Sequence, residues 1–107
     1  MLDQETVINI VERYADLLRK ELSPSAIILY GSYVKGNAHK DSDIDVAVIF
    51  DGFTGDRFKT SVQLWKLRED ISLYIEPILL DSTKDRSGFV RHVYKTGRII
   101  YQSEITC

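Results

Sequence analysis

Cysteine is almost missing from this 107-residue chain: the one residue of that kind, Cys107, stands last and has no partner. A disulfide framework and a Cys-based zinc site are therefore both excluded within the chain, and a reducing, intracellular setting is expected. Histidine is as scarce, with His39 and His92 too far apart in sequence to form a paired metal motif. No apolar run approaches the roughly 18 residues needed to cross a bilayer. The opening MLDQETVINI lacks the basic-then-apolar layout of a secretion signal. A soluble, cytoplasmic protein without a membrane partner is the expectation. Neither sign of charge dominates: 14 Lys and Arg against 16 Asp and Glu leave a formal net charge of -2. The charges are mixed rather than blocked, which disfavours a track for nucleic acid. Repeats, low-complexity segments and linkers are also lacking, and 44% apolar composition suffices for one modest core. A single domain over residues 1–107 is predicted.

What is present reads as alternating elements. From Asp3 to Leu22, Val7, Ile10, Val11, Tyr14, Leu17, Leu18 and Leu22 recur at three- and four-residue spacing behind a capping Asp3, which predicts an amphipathic helix. Ser23-Pro24-Ser25 stops it. Ala26 to Tyr30 is a short apolar run and predicts a buried strand; a helical turn after Gly31-Ser32 and a polar loop follow. Ile44 to Phe50, rich in β-branched residues, is the next strand. After the loop at 51 to 56, a second large helix is expected from Arg57 to about Ser72, then a strand from about Leu73 to Leu80. A last helix starts at Asp85 or Ser87 and ends at Gly97, before a final strand in RIIYQ. This order predicts an α+β fold, one sheet flanked by helices. The second helix carries two apolar stripes, Phe58, Val62 and Trp65 on one side and Leu64, Leu67 and Ile71 well round from them. Either a small domain wraps that helix on both sides or one stripe meets a partner.

Chemistry concentrates in ILYGSYVKGNAHKDSDIDVAVIF, residues 28 to 50. Alternation along a strand sends Asp43 and Asp45 to one face and Ile44, Val46 and Val48 to the other. Two like charges about 7 Å apart repel and call for a cation or strong donors. Magnesium commonly takes one or two carboxylates and completes its shell with water and phosphates. Gly31 lets backbone come close to a ligand, Ser32 offers a hydroxyl, and N–H groups at a helix start favour an anion. A third acid, Glu76, is alone inside the apolar LYIEPILL, on the face of Tyr74 and Ile78. Three acids converge if its strand neighbours that of Asp43 and Asp45. Pro77 removes an N–H, so this strand needs a free edge or a bulge. Each motif singly is also a common structural device: Gly-Ser a turn, Asp-Ser-Asp a strand entry, Glu76 an inward acid guarding an edge.

Jointly, Gly31-Ser32, ten further residues, Asp43-x-Asp45 and an acid on a later strand resemble the DNA polymerase beta-like nucleotidyltransferase superfamily. The text LYGSYVKGNAHKDSDIDVAV is similar to its minimal nucleotidyltransferases (MNT). That resemblance implies a mixed sheet flanked by helices, with Gly31 and Ser32 gripping phosphate and Gly36 following the short helix. Asp43 and Asp45 would bind Mg2+, and Glu76 would act as general base or further ligand. Lys35 stands where many relatives have arginine, and lysine meets a phosphate only as a point charge. Larger relatives add a helical acceptor-binding domain for which this chain has no room. The resemblance therefore implies a separate HEPN-type toxin as partner in a hetero-oligomer. The implied function is that of an antitoxin, transferring AMP from ATP to a tyrosine of that ribonuclease. The competing readings are an antitoxin that acts by binding alone and a nucleotidyltransferase with a small-molecule acceptor.

Overall fold

The computed structural model describes residues 2–39 and 42–103; Lys40 of the polar loop and Cys107 lie outside that set. The first helix, α1 (Gln4–Glu21), opens on Asp3, whose carboxylate accepts a hydrogen bond from the Thr6 N–H at 2.7 Å. One donor that a helix start leaves without an intrahelical acceptor is thereby satisfied. Its buried face is Val7, Val11, Tyr14, Ala15 and Leu18. There follow β1 (Ala26–Tyr30), α2 (Ser32–Lys35), β2 (Ile44–Phe50), α3 (Arg57–Leu67), β3 (Ile75–Asp81), α4 (Phe89–Thr96) and β4 (Arg98–Gln102). No described helix is long and apolar enough to cross a membrane.

Three boundaries differ from the sequence expectation, the first being β3, which runs Ile75–Asp81 rather than from about Leu73 to Leu80 and leaves Leu73 and Tyr74 in a turn. α3 stops at Leu67 and gives way to one 3-10 turn, Arg68–Asp70. Tighter hydrogen bonding of this kind commonly ends a helix. The Arg68 guanidinium then donates to the carbonyls of Leu73 and Ile75, a tie across the turn that no propensity reports. The last helix starts at Phe89 rather than at Asp85 or Ser87. Asp85 nonetheless caps it from outside, accepting from the N–H groups of Val90 at 2.9 Å and Arg91 at 3.1 Å.

The four strands form one mixed sheet in the order β3-β2-β1-β4. β1 is antiparallel to both β2 and β4, whereas β2 and β3 are parallel. Alternation gives each inner strand two buried faces. Ile27, Leu29, Ile44, Val46, Val48, Ile75 and Leu79 pack under α1 and α3, and Ala26, Ile28, Ala47 and Ile49 pack against Val90 and Val93 of α4. The buried Tyr14 hydroxyl donates to the Leu64 carbonyl at 2.7 Å and ties α1 to α3.

β3 is an edge strand, the first of the two outcomes Pro77 allows. The carbonyls of Ile75 and Leu79 turn outward, where Arg68 and Arg57 donate to them. Pro77 lies in the same alternation, so its missing N–H costs no ladder bond. The two stripes of α3 also separate: Leu64 is 1% exposed, but Phe58, Val62 and Trp65 are 77, 37 and 41% exposed. The domain wraps one side of this helix only.

Candidate active site

Sheet register builds the site. Parallel pairing sets Asp45 beside Glu76, and antiparallel pairing sets Tyr30 beside Asp45. Three adjacent strands thus present Tyr30, Asp45 and Glu76 in one row, on the face that α4 covers only in part. Ile78, beside Glu76 on this face, is 38% exposed, and Tyr74, in the turn before β3, is 50% exposed. Asp43 precedes β2 by one residue, near enough for its charge to act on both Asp45 and Glu76. The turn before it is fixed by Ser42, which is buried: the His39 N–H donates to Ser42 Oγ at 2.8 Å, and the Ser42 N–H donates to the His39 carbonyl at 2.9 Å.

Negative charge outweighs positive among these acids. Burial, and then the charge of Asp43, push the Asp45 carboxyl up from its ordinary value. Glu76 is also pushed up, by burial first, then by the charge of Asp43 and the hydrogen bond with it, then by Asp45; Arg68 acts the other way. The Tyr30 phenol is pushed up to about 12, by burial and then by the charges of Asp45 and Glu76. Surplus negative charge on hard carboxylate oxygens suits a hard divalent cation. Among the described residues, no three His, Cys, Asp or Glu side chains close into a cage for a metal ion. The arrangement therefore fits an ion that takes two carboxylates and fills its shell from water and substrate.

Gly31 holds φ 81° and ψ -148°, a region essentially reserved for glycine. A Cβ built there would collide with the Asp45 carboxylate. The close approach that the sequence assigns to a ligand is thus made first by one of the chain's own acids. α2 begins at once, with the Val34 and Lys35 N–H groups donating to the Gly31 carbonyl at 3.1 and 3.0 Å. The Ser32 and Tyr33 N–H groups precede the first of these bonds. Ser32 is half-buried, next in sequence to the residue that touches Asp45. Gly36 closes α2 in the left-handed conformation, φ 80°, and Lys35 is exposed in its last turn.

The structure thus brings Gly31, Asp43, Asp45 and Glu76 together, with Ser32 alongside and Lys35 and Gly36 at the other end of α2. Sequence reasoning missed Tyr30, Ser42 and Arg68. Tyr30 could have been found from the strand pairing that a hairpin-like path implies, and Ser42 from its place between two aspartates; nothing local marks Arg68.

An α+β domain with a Gly-Ser turn against paired carboxylates on neighbouring strands has the build of a small nucleotidyltransferase. Residues 12–106 match the family model described as Polymerase beta, Nucleotidyltransferase, and the chain belongs to that family. No curated protein matches it in sequence. Among solved structures, a protein of Sulfolobus solfataricus assigned as a nucleotidyltransferase is similar with TM-score 0.72 and 18% identity, over 94% of this chain and 85% of that one. A toxin-antitoxin structure with AMP-PNP is similar with TM-score 0.59 and 23% identity, over 87 and 74% of the two chains. A variant of the toxin-antitoxin MntA-HpeT, with two aspartates changed to glutamate, is similar with TM-score 0.55 and 20% identity, over 96 and 76%. These likenesses establish the expected polymerase beta-like fold.

Proposed function

We propose that this chain is an antitoxin that neutralises a HEPN-type ribonuclease toxin by transferring AMP from ATP to one of its tyrosines. The observation that carries this reading is the row of acids: Asp45 in register with Glu76, Asp43 acting on both, and Gly31 closing on Asp45. Membership in the nucleotidyltransferase family supports the reaction type. Likeness to two toxin-antitoxin structures, one with an ATP analogue, supports the setting.

Asp43 and Asp45 would hold Mg2+, which when bound supplies charge neutralisation and polarises a phosphoryl oxygen. Ser32, with the N–H groups that open α2, would hold the leaving phosphates. Lys35 adds a point charge in the last turn of α2, and Gly36 ends that helix so the chain can return toward Asp43. Glu76, its carboxyl raised in proton affinity by burial and by Asp43, would accept the proton of the acceptor hydroxyl. The oxygen freed bonds to the α-phosphorus, the bond from that phosphorus to the bridging oxygen breaks, and pyrophosphate leaves. Positioning supplies much of the rate. The reaction is assigned to the cytoplasm, in a hetero-oligomer with the toxin.

The test is incubation of the chain with a HEPN-type partner, magnesium and ATP labelled at the α or the γ position. Label should pass to the partner from α-labelled ATP only and should disappear with Asp43→Asn/Asp45→Asn. Transfer retained by that double variant overturns the proposal. The exposed stripe on α3 favours a second reading, neutralisation by binding alone; a double variant that still silences the toxin in cells decides for it.

A further inference from the structure

Phe58, Val62 and Trp65 occupy one side of α3 and, with Ser61, Lys66, Arg68 and Glu69, line a groove of about 380 Å³. Arg68 links this groove to the acids. Its guanidinium lies 4.6 Å from the centre of the Trp65 ring, it donates to the Leu73 carbonyl, and its charge acts on Glu76. Leu73 and Tyr74, both exposed, extend the apolar surface to within two residues of Glu76.

Charge and hydrogen bonding select the occupant. An added strand is blocked at the neighbouring edge, because Arg57 and Arg68 take the outward carbonyls of Leu79 and Ile75 and Pro77 offers no N–H. A second copy is disfavoured electrostatically. Lys59 and Lys66 flank the stripe on one side of α3, Arg68 in the 3-10 turn borders it at Trp65, and Glu69 is the single acid among the lining residues. Two-fold pairing of two such stripes therefore sets an excess of basic charge against its own copy, which one Glu69 from each does not cancel.

We propose that the groove receives an amphipathic helix of the partner protein, apolar at i, i+3, i+4 and i+7 and acidic along both flanks. This rests on the reading that the chain acts on a protein partner; it does not require that AMP be transferred. Trp65 under Arg68 is the anchor, since tryptophan and arginine dominate binding energies at such surfaces.

The test is calorimetric titration of the HEPN-type partner into the intact chain and three variants that leave the core untouched. Val62→Glu should weaken binding at least about a hundredfold. Lys59→Glu/Lys66→Glu should weaken it about tenfold and reduce its salt dependence. Asp43→Asn/Asp45→Asn should bind as the unsubstituted chain does, with circular dichroism verifying the fold of each. Unchanged binding by Val62→Glu overturns the proposal while leaving the transfer reading intact. Binding weakened by Val62→Glu as expected, but without transfer of label, sinks the transfer reading alone, and absence of binding by the unsubstituted chain removes both. A dimer of the chain by itself, dissolved by Val62→Glu in sedimentation, assigns the groove to a second copy and overturns the proposal as well.

Discussion

At the far end of the β2–β3 pair, Asp81 accepts hydrogen bonds from the N–H groups of Gly52, Phe53 and Thr83 and from the Thr83 hydroxyl. Those bonds, led by Thr83, hold its carboxyl far below the ordinary carboxylate range. At the near end of the same two strands, Asp45 and Glu76 face each other and Asp43, and both are raised. Both ends carry acids on strand termini, yet one set is saturated with donors and the other holds more negative charge than Arg68 offsets. The difference separates structure from chemistry: Asp81 pins the loop after β2, whereas the Asp43, Asp45 and Glu76 set stores a demand for a cation that the fold does not meet. Carboxylates held in this way cost stability, which is the usual mark of a site kept for function.

The contrast is broken most severely at Gly31. Gly31→Ala should cost about 1–3 kcal/mol from backbone conformation alone. It should also force the Asp45 carboxylate aside, lowering nucleotidyl transfer by about a hundredfold or more. Urea unfolding and the labelling assay together check this, and a variant with normal transfer would mean that the close approach to Asp45 is incidental.

A smaller effect is expected at the saturated end. A lowered folded pKa gives stability that is fully present above the ordinary value of 3.8 and lost as pH falls toward the folded one. Asp81→Asn should therefore lower the melting temperature at neutral pH and flatten the acid limb below about pH 4. Parallel acid limbs for the two proteins would remove Asp81 from its assigned role.

At the uncompensated end the sign reverses. A raised folded pKa means the native state holds its proton more tightly than the unfolded chain, so the charged group loses stability as pH rises through that pKa. Asp45→Asn should accordingly raise the melting temperature in chelator at neutral pH, and magnesium should stabilise the unsubstituted chain but not the variant. Calorimetry with and without the metal reads both. The smallest effect is spectroscopic: the Tyr30 phenol, now titrating near 12, should move part of the way toward 10 in Asp45→Asn, since burial remains its main cause. Difference absorbance against pH reports the shift.

Much of this was legible in the residues. β1, α2 and β2 fall where the apolar run, Gly31-Ser32 and the β-branched segment predict them. The two-residue period puts Asp43 and Asp45 on one face whatever the rest of the chain does. Glu76 is conspicuous as a lone acid in an apolar strand, and Pro77 announces an edge. The end of α3 was not legible, because Arg68 reaches forward to Leu73 and Ile75. The start of α4 was displaced because Asp85 caps it from four residues upstream of Phe89.

By itself, then, the sequence determined the elements, the faces of their side chains and the chemical types at the strand mouth, because helical and strand periods act locally. Only the tertiary structure decided that β3 runs parallel beside β2 with Glu76 against Asp45, and that the Asp45 carboxylate fills the space Gly31 leaves free. It alone also decided that of two apolar stripes on α3 one is buried and the other faces outward. Those outcomes depend on which strands become neighbours and at what register. That choice is made by the packing of the whole core, whose contacts join residues far apart along the chain.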